Sequence, residues 1–115
     1  MKFSESLKKN RDFLHVYKKG SSKANRYLVM YLCENHQTIN RLGISVSKKV
    51  GNSVVRHRLT RLIRESYRLR EEMFQTGWDI VIVVRPAAKG ISYHEMDSAV
   101  MHLANLQNIT KNLEK

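Results

Sequence analysis

The sequence predicts an α+β fold, a β-sheet with helices packed on it. Three patterns carry that expectation. RYLVMYLCE at 26–34 and RLGISVS at 41–47 read as strands, the second with clean alternation of apolar and small residues. GWDIVIVVRP at 77–86 contains an aliphatic run, the mark of a strand buried on both faces. Around these lie three stretches of helical spacing, at 4–18, 53–72 and 92–110. A chain of 115 residues is long enough for one core and is expected to be one domain, 1–115, frayed at about 1–4 and 110–115.

In chain order, residues 4–18 are expected to be the first helix. Ser4 or Ser6 is its candidate cap, and Phe13, Val16 and Tyr17 share a face. KKGSSKAN at 18–25 is turn material with room for a short strand. The strand at 26–34 sets Tyr27, Val29, Tyr31 and Cys33 against Leu28, Met30 and Leu32. ENHQTIN at 34–40 reads as a hairpin-type loop. In 41–47, Leu42, Ile44 and Val46 point to the core, while Gly43, Ser45 and Ser47 leave the opposite face small, with room for something to lie on it. The helix at 53–72 follows a Gly-Asn turn. Pro86 closes the last strand. In the last helix Ser92 and Glu95 make a capping box.

The charge is unevenly spread. The chain carries a net +11, and Lys48 to Arg70 holds eight Lys/Arg against one acid, Glu65. Clustered cations point to a polyanion such as RNA or DNA. At about 100° per residue, Arg56, Arg64, Arg68, Arg61 and Arg58 spread over one side of the helix at 53–70. Leu69, Leu62, Val55, Leu59 and Ile63 form the apolar stripe on the other. A solvated helix would mix Glu with Lys at four-residue spacing. Here the arginines mostly repel one another, which is tolerable if a partner supplies the negative charge. Arginine's planar fork grips phosphate oxygens in pairs and stacks on bases. Upstream, Gly51 permits a tight or left-handed turn and Asn52 or Ser53 can cap. Free N–H groups at that helix start, beside Lys48 and Lys49, form a further phosphate seat.

The run Lys48-Lys49-Val-Gly51-Asn52-Ser53-Val-Val-Arg56-His57-Arg58-Leu-Thr-Arg61-Leu-Ile-Arg64 resembles the RNR signature of the protein subunit of bacterial ribonuclease P. LKKNRDFLHVYKKG, ANRYLVMY, RLGISVSKKVGN and DIVIVVRP extend the resemblance over nearly the whole chain. The resemblance implies a two-layer sandwich of a four-stranded mixed sheet and three helices, shared with a ribosomal protein domain and a domain of elongation factor G. It also implies a left-handed βαβ crossover, against the usual hand. It implies that a catalytic RNA, not protein side chains, removes the 5′ leader of precursor tRNA. Magnesium would be bound mainly by that RNA, with no cofactor on the protein alone. The implied partners are the catalytic RNA and precursor tRNA, in the cytoplasm, with no protein partner required.

Carried over by position, the surface for the catalytic RNA is Lys48, Lys49, Gly51, Asn52, Ser53, Arg56, His57, Arg58, Arg61, Arg64 and Arg68. The leader cleft is Phe13, Tyr17, Val29, Tyr31 and Ser45. Aromatics beside cations suit a single strand, since bases stack without demanding a sequence. Two positions depart from the family. His57 replaces the usual Asn between two arginines, and Thr60 stands where relatives often carry a basic residue.

Other classes fit less well. A protein nuclease needs a carboxylate cluster or a His-based pair. The five histidines (15, 36, 57, 94 and 102) are scattered, and Asp79 and Asp97 show no partner in sequence. A DNA-binding regulator would place a short helix before the basic one, where this chain has a strand. A structural RNA-binding protein of ribosomal type is the alternative, separated by the aromatic cluster. One cysteine, Cys33, excludes an internal disulfide. The N-terminal stretch has no apolar signal segment, and the longest aliphatic run is too short to span a bilayer. Both favour a soluble cytoplasmic protein without membrane contact.

Overall fold

A computed structural model describes residues 4–111. The elements are β1 (Ser4–Ser6), α1 (Asn10–Lys19), β2 (Ser21–Ala24), β3 (Leu28–Glu34), β4 (Asn40–Ser45), α2 (Ser53–Arg70), β5 (Trp78–Val84) and α3 (Tyr93–Leu106). Short 3₁₀ turns at Glu71–Met73 and Pro86–Ala88 follow α2 and β5. The fold is α+β with a mixed sheet and three helices. The sheet has five strands rather than four, in the order β1-β4-β5-β3-β2.

The aliphatic strand β5 lies at its centre. It pairs antiparallel with β3, from Leu28 opposite Val84 to Glu34 opposite Trp78, and parallel with β4. Because β4 and β5 are adjacent and parallel, α2 is the crossover of a βαβ unit. One face of the sheet, with Leu28, Met30, Leu32, Leu42, Ile80, Ile82 and Val84, packs on Leu59, Ile63 and Tyr67 of α2 and on Met96, Val100 and Leu103 of α3. Burying each such side chain contributes about 1.5–3 kcal/mol before entropy is counted. The other face holds a smaller cluster, Val81 with Val16 of α1 and Leu7, flanked by Phe13, Tyr17, Tyr31, Cys33 and Val83. Helices on opposite faces are why β5 is apolar on both.

Several sequence expectations change. The first helix begins at Asn10, not at 4. Lys9 is its N-cap and makes no side-chain capping bond, so neither Ser4 nor Ser6 caps it. Residues 4–6 instead add a parallel strand to β4, and the Leu7 N–H donates to the Leu42 carbonyl at 2.8 Å. The loop at 34–40 is not a hairpin, because β5 lies between the strands it joins. The hairpin is β2–β3, turned through Asn25, whose side-chain oxygen accepts from the Tyr27 and Leu28 N–H groups. The basic helix and the capping box of α3 stand where expected. Leu69, assigned to the apolar stripe, is exposed near the end of α2. Of the ends expected to fray, 1–3 and 112–115 lie outside the described residues. Ser4 is in β1, and Thr110 bridges to Phe74.

Candidate RNA-binding surfaces

The turn into α2 is held by short-range contacts. The Val50 N–H donates to Ser47 and its side chain is buried, fixing the chain after β4. Asn52 is the cap, its side-chain oxygen accepting from the Val55 N–H at 3.0 Å. Gly51 does not take a left-handed conformation, contrary to one reading of the turn. It is required because a Cβ there would lie 2.8 Å from a Val55 methyl. Lys48, Lys49, Asn52 and Ser53 are exposed beside this turn.

The arginines of α2 divide into two groups. Arg56 folds back so that Nε donates to the Gly51 carbonyl at 3.2 Å, bracing the turn. Arg58 donates to the Ile91 carbonyl at 2.9 Å, tying α2 to the segment before α3. Arg68 grips Glu65 with two bonds, 3.1 and 2.7 Å, which hold the Glu65 carboxyl below its usual range. Arg61 and Arg64, like Lys48 and Lys49, have no ion pair or side-chain hydrogen bond among the described residues. Two adjoining concavities share Arg58 and Arg61. One of about 600 Å³ is completed by Leu62, Arg64, Glu65 and Arg68, and one of about 520 Å³ by Ser53, Val54 and His57. His57 is therefore on the cationic face. Thr60 is partly buried, its hydroxyl donating back along the helix to the Arg56 carbonyl at 3.0 Å.

The five cleft residues come together on the far face of the sheet. Ser45, Val83 and Val29 are neighbours in one row, Gly43, Val81 and Tyr31 in the next. Tyr17 of α1 meets Tyr31 edge-on with ring centroids 4.9 Å apart, and Phe13 lies 6.4 Å from Tyr17. Room left at Gly43 is filled by this chain itself, since a Cβ there would sit 2.7 Å from the Phe13 ring. Phe13 thus seats α1 on the sheet with one ring edge and stays partly exposed at the cleft. Ser45, Val29 and Val83 stay half-buried beside it. Val83 was not anticipated as a lining residue, because β5 reads as a uniformly buried run.

The sequence also hid what Asp79 and Asp97 do. Asp79, 3% exposed, takes two bonds from Arg41 at 2.8 and 2.6 Å and one from Asn35. Arg41 also reaches Asp12 of α1 at 3.7 Å, pinning that helix to the sheet. Asp97 accepts two bonds from Arg70 and one from Ser66, and the Arg70 guanidinium holds its carboxyl below the ordinary range. Both carboxylates are structural anchors. Burial, with Asp79 nearby, pushes the Cys33 thiol up, away from reactivity.

An α+β sheet that carries a cationic helix on one face and an aromatic cleft on the other defines a protein of the nucleic-acid-handling class. Residues 1–107 match the family described as Ribonuclease P. The Ribonuclease P protein component of Lachnoclostridium phytofermentans is 62% identical over 111 residues, 96% of each chain. That of Alkaliphilus metalliredigens is 52% identical over 103 residues, 90% of this chain and 93% of its own. Among solved structures, the Staphylococcus aureus RNase P protein superposes with a TM-score of 0.86 at 37% identity, covering 92% of this chain and 97% of that one. The Thermotoga maritima protein gives 0.80 at 31%, covering 86% and 94%. The chain belongs to the ribonuclease P protein family.

Proposed function

We propose that the protein binds the catalytic RNA of ribonuclease P through α2 and the turn before it, and holds the 5′ leader of precursor tRNA in the cleft. In this reading it promotes endonucleolytic removal of the leader in the cytoplasm. The RNA carries the chemistry and the magnesium, and protein side chains only bind and position. One observation carries the reading. Strand β4 ends in the cleft at Ser45, and Lys48 and Lys49 follow within four residues at the foot of the cationic helix. A single rigid strand therefore joins a surface suited to structured phosphates to a groove suited to an unpaired strand. A ribosomal-type anchor would need the first of these but not the second.

The test is reconstitution. The protein is mixed with a bacterial ribonuclease P RNA and a precursor tRNA, at magnesium too low for the RNA to act alone. Leader cleavage should require both components. RNA binding without cleavage, with every catalytic RNA tried, would leave the structural RNA-binding reading in its place.

A further inference from the structure

Helix α1 has an outer face that the cleft does not use. Setting Arg11 at zero and stepping about 100° per residue, Lys18, Arg11, His15 and Lys19 fall within an arc of roughly 100°. All four are exposed, with Lys8 and Lys9 just ahead of them. None has an ion pair or side-chain hydrogen bond among the described residues, and Asp12, the acid on this helix, is taken by Arg41. The helix dipole accounts for Lys18 and Lys19 in the last turn, but it opposes Arg11 in the first. A local choice that costs stability marks a functional demand.

The order of residues around α1 is informative. From the sheet side it runs Val16, Phe13, Tyr17, then Leu14, then Lys18 and Arg11. Leu14 is a large apolar side chain left 56% exposed, and it stands between the cleft aromatics and the cations. On the other flank Asp12 separates the cations from Val16. The stripe is thus continuous with the cleft on the Tyr17 side and bounded by an acid on the other. Apolar and aromatic surface running into cations is the footprint of an unpaired strand.

We propose that the Leu14–Lys18–Arg11 face binds the distal part of the precursor tRNA leader, the single strand that continues beyond the cleft around α1. This rests on the leader occupying the cleft. It makes α1 a two-sided element, with its inner aromatics holding the near leader and its outer cations the far leader.

The test uses the holoenzyme reconstituted with a bacterial ribonuclease P RNA. Two precursors are compared, one with a leader just long enough to fill the cleft and one with a longer leader. The wild type should bind the longer leader more tightly, with the increment steeply salt-dependent. Arg11→Gln/Lys18→Gln should lose most of that increment, its salt slope falling by about 1.4, or roughly 0.7 per cation for a single strand. Leu14→Ala should reduce the increment without changing the slope. Affinity for the short leader and for the catalytic RNA should stay as in wild type, and the melting curve confirms folding. An increment equal to wild type, or equal loss on both leaders, overturns the proposal. Preference for leader-bearing over mature tRNA would survive the first result, so the cleft reading is judged separately.

Discussion

Replacing Arg61 and Arg64 by alanine tests the cationic helix at its cleanest point. Of the eight Lys/Arg between Lys48 and Arg70, four are already engaged within the protein. Arg56 and Arg58 bond to carbonyls, and Arg68 and Arg70 bond to Glu65 and Asp97. Arg61 and Arg64 are exposed and carry no such contact among the described residues, so their loss should shift stability by no more than about 0.5 kcal/mol. If each neutralises one phosphate of a structured RNA, the slope of log affinity against log salt should become shallower by about 1.8. A fourfold rise in salt would then shrink the deficit of the variant by roughly twelvefold. The assay is titration of labelled ribonuclease P RNA at several salt concentrations, with thermal melting as the control for folding. Arg70→Ala is the opposite control. It should lower the melting temperature, by stranding Asp97, and leave the slope alone. An unchanged slope in Arg61→Ala/Arg64→Ala would remove this face from the RNA interface.

Three further outcomes are expected. Gly43→Val should cost about 1–3 kcal/mol, because the new side chain meets the Phe13 ring, and should weaken leader binding by lifting α1; an unaltered melting temperature would contradict that packing. Tyr17→Ala and Tyr31→Ala should weaken binding of leader-bearing precursor and spare mature tRNA, while equal losses would assign both rings to folding alone. For Asp97, whose folded carboxyl is held below its ordinary value of 3.8, the stabilising contribution is complete above that value and disappears as pH falls through the lowered one. The stability gap between wild type and Asp97→Asn, followed by urea unfolding, should therefore close toward strong acid; a gap that persists there would refute the linkage.

Local pattern determined a large part of this protein. Leu42, Ile44 and Val46 alternate with Gly43 and Ser45, and that period of two is a property of the strand alone. Ser92 and Glu95 close a capping box within one turn. The arginines of α2 share a side because helical spacing puts them there. Elements with such internal signatures need no distant partner to be recognised, and the signature spanning Lys48 to Arg64 identified the family for the same reason.

Tertiary structure decided what depends on residues far apart in sequence. Ser4–Ser6 has no apolar alternation and becomes a strand only because β4 offers its free edge. Helix α1 starts uncapped at Asn10, since the residues before it are drawn into that pairing and Leu7 is buried beneath it. The loop at 34–40 looks like a hairpin until β5, nearly forty residues on, inserts between β3 and β4. The pairings of Arg41 with Asp79 and of Arg70 with Asp97 could not be read along the chain either. They separate the arginines committed to folding from those left for a partner. Nor does the space at Gly43 belong to a ligand, because Phe13 fills it. The sequence by itself set which residues are cationic, aromatic or small; which of them face outward was settled by non-local pairing, where the burial of one segment fixes the surroundings of another.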